Sequence, residues 1–182
     1  MKLYNKTKCP KNILKPLLVL AGKSIGARTS KVVIKITQGR SFRVKGIAYK
    51  AYFVYSWHLR NLKSRRKGKH NLGRLINTDG GWIELTLPKL YRPERMKCWP
   101  TTDGITLAQR FFKVAQHEFA HIKDYQNNNF IPTPTTNQDR RIPWKNRPCE
   151  ISAMNQVNDA KILNTDNIIL ELALYFEKES KK

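Results

Sequence analysis

From Ile105 to Asn129 the chain runs without a proline or a glycine. Leu107, Phe111, Val114, Ala115, Ile122 and Tyr125 recur along it at helical spacing. That pattern predicts one long helix over about 105–127 with an apolar side. Asp103 stands where an N-cap belongs, and Asn127-Asn128-Asn129 ends the run. Such a helix is roughly 35 Å long, about the diameter of a small domain. Its apolar side has to be buried against the rest of the chain.

The same helix carries His117-Glu118-Phe119-Ala120-His121, an H-E-x-x-H pattern. Two histidines four residues apart differ by about 40° around a helix axis and one turn along it. Both rings can then reach one ion. Zinc takes nitrogen, oxygen and sulfur ligands in a tetrahedron, so this pair supplies half of a Zn2+ site. Glu118, next to the first histidine, can approach a water at that ion and take its proton. The competing reading is a buried helix with two hydrogen-bonded histidines. Only four histidines occur in the chain and two of them are here, which favours the metal.

A zinc site that keeps a position open needs a third protein ligand. No histidine follows His121, and Asp124 and Asn127 stand where the metzincin extension requires Gly and His. Downstream carboxylates and Cys149 remain. Glu150 is preferred, at the start of a helix expected over 148–162 that Pro148 opens. The small Ser152 and Ala153 beside it allow close packing. Its ordinary alternative is a first-turn glutamate facing the helix dipole. Asp159 is a weaker candidate, and a Cys149 thiolate would suit a closed structural site. Asp124 shares the face of His121, where it could accept a hydrogen bond from a ligand histidine or stand in solvent. His58 and His70 read as surface residues.

Around this helix the chain predicts an α+β domain spanning all 182 residues. Residues 12–25 read as a helix whose Leu14, Leu17, Leu18 and Ala21 share a face and which Gly26 ends. Residues 31–37 and 44–57 read as strands, with Gly46 marking a bulge in the second. Trp82 to Leu87 reads as a short strand with Ile83, Leu85 and Leu87 on one side, closed by Pro88 and placed at a sheet edge. The metal-binding helices fall within 104–162, and a last helix occupies the C-terminal segment 165–182, about 167–179. Residues 128–147 hold three prolines and read as a crossing loop long enough to act as a lid.

Charge divides the chain. The net charge is +22, yet residues 1–78 carry 20 Lys and Arg with no Asp or Glu. Such a half should seek a polyanion, with DNA or RNA first and an anionic membrane surface second. A solvated basic face is the plainer alternative. Residues 58–74 form a basic insertion in which Arg60, Lys63, Arg65, Arg66, Lys67, Lys69 and Arg74 are the candidate nucleic-acid contacts. Tyr49, Tyr52, Phe53, Tyr55 and Trp57 precede it and read first as sheet packing. Three cysteines at irregular spacing fit a reducing compartment, and a cytoplasmic location is expected. No run is apolar enough for a transmembrane segment. Residues 1–20 imitate a signal peptide faintly, but Lys15-Pro16 interrupts the apolar part.

The H-E-x-x-H pattern followed by Glu150 in an E-x-x-A setting resembles the zincin metallopeptidases, and within them the minimal gluzincin type. The order of helix, strands, H-E-x-x-H helix and glutamate helix is similar to the compact zincin core. The resemblance implies a zinc peptidase, a hydrolase acting on a protein or peptide substrate. His117, His121 and Glu150 would be the ligands and Glu118 the general base. It also implies that Trp82 to Leu87 binds substrate backbone by strand addition, with Arg147, His58 or Tyr125 stabilising the oxyanion. Cys149 departs from the thermolysin pattern, which has Asn before the glutamate. A looser similarity links the basic half to SprT-like proteases, whose usual third ligand is a histidine. The other reading is a nucleic-acid-binding protein with a structural or vestigial zinc site.

Overall fold

The structure is a computed structural model that describes residues 1–39, 45–49, 81–88, 103–127 and 142–180. The basic insertion, with its seven candidate Lys and Arg contacts, lies outside the described residues, as do His58, His70, Cys98, residues 50–57 and most of the crossing loop. The described elements run β1 (Lys2–Lys6), α1 (Lys11–Ile25), β2 (Val33–Gln38), β3 (Lys45–Tyr49), β4 (Trp82–Leu87), α2 (Gly104–Gln126), α3 (Pro148–Asn158) and α4 (Asp166–Ser180), with a 3-10 turn at Trp144–Asn146. The chain is mixed α+β, with four helices and a small mixed sheet among the described residues.

The strand order is β1-β2-β4-β3. β1, β2 and β4 are parallel, and β3 is antiparallel to β4. A parallel neighbour requires a crossover, and α1 supplies it between β1 and β2. β1 does not stand out in the sequence, because Lys2 and Lys6 at its ends suit the head of a signal peptide equally well. Its place is fixed by nonlocal pairing with β2 and by the Met1 ammonium donating to the Ser30 carbonyl. An Asn5-centred turn then leads into α1: Asn5 Oδ1 accepts from the Thr7 backbone at 2.9 Å, and its Nδ2 donates to the Cys9 carbonyl at 2.6 Å.

α1 buries Leu14, Leu17, Leu18 and Ala21 as their spacing predicts. The helix runs through Pro16, which lies in its second turn and removes one backbone donor there. Gly26 closes it at φ 78, where its N–H reaches the Gly22 and Lys23 carbonyls. Along β2 and β4, Ile34, Ile36, Ile83, Leu85 and Leu87 point to the helices and are buried. The opposite face carries Lys2, Tyr4 and Lys6 of β1, Lys35 and Thr37 of β2, and Glu84 and Thr86 of β4.

Two strand expectations are corrected. β4 is not an edge strand, because it pairs with β2 on one side and β3 on the other. Pro88 misleads here: it lies just beyond the last rung, so its missing N–H costs the ladder nothing. Gly46 is no bulge either, since the β3–β4 register runs unbroken from Lys45↔Thr86 to Tyr49↔Trp82.

α2 is the hub. Asp103 caps it, with Oδ1 accepting from the Thr106 backbone at 2.6 Å and Oδ2 from the Thr106 hydroxyl at 2.9 Å. Leu107, Ala108, Phe111, Ala115, Phe119 and Ile122 are buried along it, whereas Val114 and Tyr125 are only partly so. It packs on α1, α3, α4 and strands β3 and β4. α3 ends at Asn158, short of the expected 162, with Asp159 as its C-cap. α4 covers the start of α2 with Ile169, Leu172, Ala173 and Phe176. No helix of the described residues is long and apolar enough to cross a membrane.

Cys9 tests this packing. It is 1% exposed, and burial, followed by the field of Glu179, pushes its thiol up to about 12. The thiolate is the reactive form, so at pH 8 about one molecule in 10⁴ would present it. Alkylation mapped by mass spectrometry should leave Cys9 unmodified in the native protein and label it fully in denaturant. Rapid native labelling at Cys9 would mean that the β1–α1 corner is open.

Candidate metal centre

Burial of the apolar side of α2 fixes its rotation and presents a second, polar stripe to α3. His117, His121 and Asp124 follow one another along it at i, i+4 and i+7. α3 begins at Pro148, which has no N–H to leave unpaired in the first turn. Glu150 in that first turn therefore faces the histidines.

Three ligand atoms converge there. His117 Nε2 lies 2.9 Å from Glu150 Oε2, His121 Nε2 lies 3.6 Å from the same oxygen, and the two ring nitrogens are 3.2 Å apart. All three residues are nearly enclosed. Ligands about 2.0–2.1 Å from a tetrahedral zinc lie about 3.3 Å from one another, so this triangle has the dimensions of one face of such a site. The donor set fits as well: two imidazoles and one carboxylate leave a fourth position for water. Hydrogen bonding alone suits the cluster poorly, because at most one proton can lie between the two facing ring nitrogens. His117, His121 and Glu150 could thus hold a divalent ion, and they form the metal-capable cluster found among the described residues.

The electrostatics follow from burial and proximity. Burial opposes the charge on Glu150, but hydrogen bonding to His117 and His121 overcomes it and holds the carboxyl down at about 2. Burial likewise opposes charge on His121, yet Glu150 and Glu118 outweigh it and raise the ring's proton affinity. Glu118 is 5% exposed. Burial pushes its carboxyl up to about 7, against the pull of His121 and His117, while Glu150 adds to the rise.

Glu118 is held from the other side by β3, through hydrogen bonding to the Ala48 backbone. A Cβ on Gly46 would stand 2.6 Å from both Cγ and Oε1 of Glu118. The glycine is therefore a close-approach position, which lets the strand lie directly against the glutamate. Nothing in the sequence distinguishes this role from a bulge, because the pairing of residues 46 and 118 is nonlocal.

The other candidates separate clearly. Cys149 is buried next to Glu150, with Sγ 3.9 Å from its Oε1, and lies outside the ligand cluster. Burial and then the Glu150 charge raise its thiol, which favours a weak donor over a thiolate ligand. Asp159 is an exposed C-cap. Asp124 points to α3, where it accepts from Ser152 and Gln156. Arg147 Nε donates to the Ile142 carbonyl. Tyr125 is partly buried; burial and then the charges of Glu118, Cys149, Asp124 and Glu150 raise its hydroxyl, so it stays a neutral donor.

No protein-family model, no curated protein and no solved structure matches the chain. The case for function rests on this geometry.

Zinc content checks it directly. Protein purified without added metal should carry about one zinc per chain by elemental analysis. Glu150→Ala, His117→Ala and His121→Ala should each lose most of it, and Glu118→Gln should keep it. Full zinc in Glu150→Ala would remove Glu150 from the ligand set.

Proposed function

We propose that this chain is a zinc-dependent metallopeptidase with a compact zincin-like core of the gluzincin type. The observation that carries the reading is the convergence of His117 Nε2, His121 Nε2 and Glu150 Oε2 beside the buried carboxylate of Glu118. His117, His121 and Glu150 would hold the ion. Bound zinc would supply an acidified water and a Lewis acid for the substrate carbonyl. Glu118, buried beside the three ligands, is the group placed to accept and return a proton. It takes a proton from the attacking water at its carboxylate and delivers it to the leaving amine.

Substrate placement falls to β3. Among the described residues it is one of the two edge strands of the sheet, antiparallel to its neighbour, and the one that lies against Glu118. An extended peptide added along that edge would bring its backbone to the centre. β3 thus takes the part that the sequence suggests for Trp82–Leu87. Of the two oxyanion candidates among the described residues, Tyr125 is a neutral donor within the field of Glu118 and Glu150, whereas Arg147 Nε donates to the Ile142 carbonyl.

Glu118→Gln separates catalysis from metal binding. It should cut hydrolysis of an unfolded protein such as casein by about 10²–10⁴-fold while zinc remains bound. Gly46→Ala should reduce turnover too, because its methyl would displace the glutamate. Undiminished cleavage by Glu118→Gln would sink the mechanism.

We infer further that the basic half recruits the enzyme to nucleic acid. Lys2, Lys6, Lys35 and Lys45 share the outer sheet face, where Glu84 is the acidic group among the described residues. That face is turned away from α2, so a bound polyanion would leave the metal centre free. With six or more phosphate contacts, affinity for a short DNA duplex should fall about 10³-fold or more between 50 and 200 mM salt. A flat response by fluorescence anisotropy would exclude phosphate-driven binding.

A further inference from the structure

One polar cluster between α2 and α3 lies outside the ligand set. Asp124 Oδ1 accepts from Gln156 Nε2 at 2.8 Å, and its Oδ2 accepts from Ser152 Oγ at 3.1 Å. Gln156 Nε2 also lies 3.4 Å from Ser152 Oγ. Asp124 stands three residues after His121, and both donors are on α3, the helix that carries Glu150. The clasp therefore sits one turn along the same seam as the centre.

α3 needs such a tie. It has 11 residues, a length at which an isolated helix is marginal in water. It buries only Cys149, Glu150 and Ala153, while Ile151 is 43% exposed. Two small side chains and one carboxylate give little resistance to rotation or sliding. Asp124 holds α3 at two points on successive turns and so resists both motions. The clasp has a cost, because Gln156 Oε1 is buried with no partner among the described residues. The amide keeps this orientation because its Nε2 faces Asp124.

We propose that Asp124 is the positioning residue of the metal centre: by clasping Ser152 and Gln156 it sets the rotation of α3 and so aligns Glu150 with His117 and His121. It acts on the third ligand's helix through its hydrogen bonds to Ser152 and Gln156. The inference rests on the reading of those three residues as metal ligands.

The test uses the full chain and two probes, zinc and cobalt(II). Zinc affinity is measured by competition with a chromophoric chelator, and the geometry is read from the visible bands of cobalt(II). Asp124→Ala should weaken zinc about 10- to 100-fold and alter the cobalt bands. The pair Ser152→Ala with Gln156→Leu should do the same from the other side of the seam. Asp124→Asn is the rescue, since an amide oxygen can accept from Gln156 and its NH₂ can donate to Ser152. It should stay within a few-fold of the wild type. Hydrogen exchange on the metal-free chains should show faster exchange over residues 150–157 in the first two variants and not in the third. If Asp124→Ala fails to fold, the double variant carries the test.

If the wild type binds neither ion, the metal reading fails and takes this inference with it. If the wild type binds and the clasp variants bind within two-fold of it, only the positioning role is overturned. Equal losses in Asp124→Asn and Asp124→Ala would assign the effect to the Asp124 charge acting on His121, which also overturns the clasp.

Discussion

The rotation of α2 about its own axis is the constraint on which the molecule depends. Leu107, Phe111, Ala115, Phe119 and Ile122 can be buried together in only one rotational setting. That setting turns His117, His121 and Asp124 towards α3 and brings Glu118 under β3. The residues of the H-E-x-x-H pattern are thereby divided by chemistry. Phe119 and Ala120 enter the core, the two histidines face the glutamate helix, and Glu118 faces the sheet. A core mutation that turned α2 by a few tens of degrees would disperse the site without touching any of its ligands.

This division explains which parts were legible in the sequence. α2, its Asp103 cap and its apolar stripe are local properties, and they read correctly from spacing alone. So did the buried face of α1, its Gly26 end and the alternation of β4. What escaped was set by contacts distant along the chain. β1 is five residues with charged ends, and only its parallel pairing with β2 makes it a strand. The interior place of β4 depends on β3 joining its far side. Gly46 matters because Glu118, 72 positions later, lies against it. Glu150 was readable as a candidate because few third ligands were available. The partners of Asp124 were not readable, because its face of the helix offered a histidine as readily as α3.

The seam between α2 and α3 is built unlike the rest of the core. Elsewhere α2 meets leucine, isoleucine and phenylalanine. Against α3 it meets Glu150, Ser152, Ala153 and Gln156. Apolar burial is non-directional and would tolerate some sliding, whereas hydrogen bonds fall off steeply with angle and distance. A polar seam thus has the property a ligand set requires, a single register. With Gln156 Oε1 already buried and without a partner among the described residues, the seam depends on the hydrogen bonds it does make, which leaves it sensitive to what occupies the centre.

Charge bookkeeping at that centre points the same way. Glu118 and Glu150 are both buried, within each other's field, in a chain whose excess positive charge includes the lysines of the outer sheet face. A carboxylate taken out of water resists ionisation, and protonation is the local remedy. Burial, with a smaller push from Glu150, raises Glu118 to about 7 in this way, and Glu150 and Glu118 raise the proton affinity of His121. A divalent cation would balance the same two charges without a proton, leaving both ring nitrogens free to act as ligands and Glu118 free to act as a base. The features that make the cluster awkward as a set of hydrogen bonds are therefore the ones that make it coherent as a metal site.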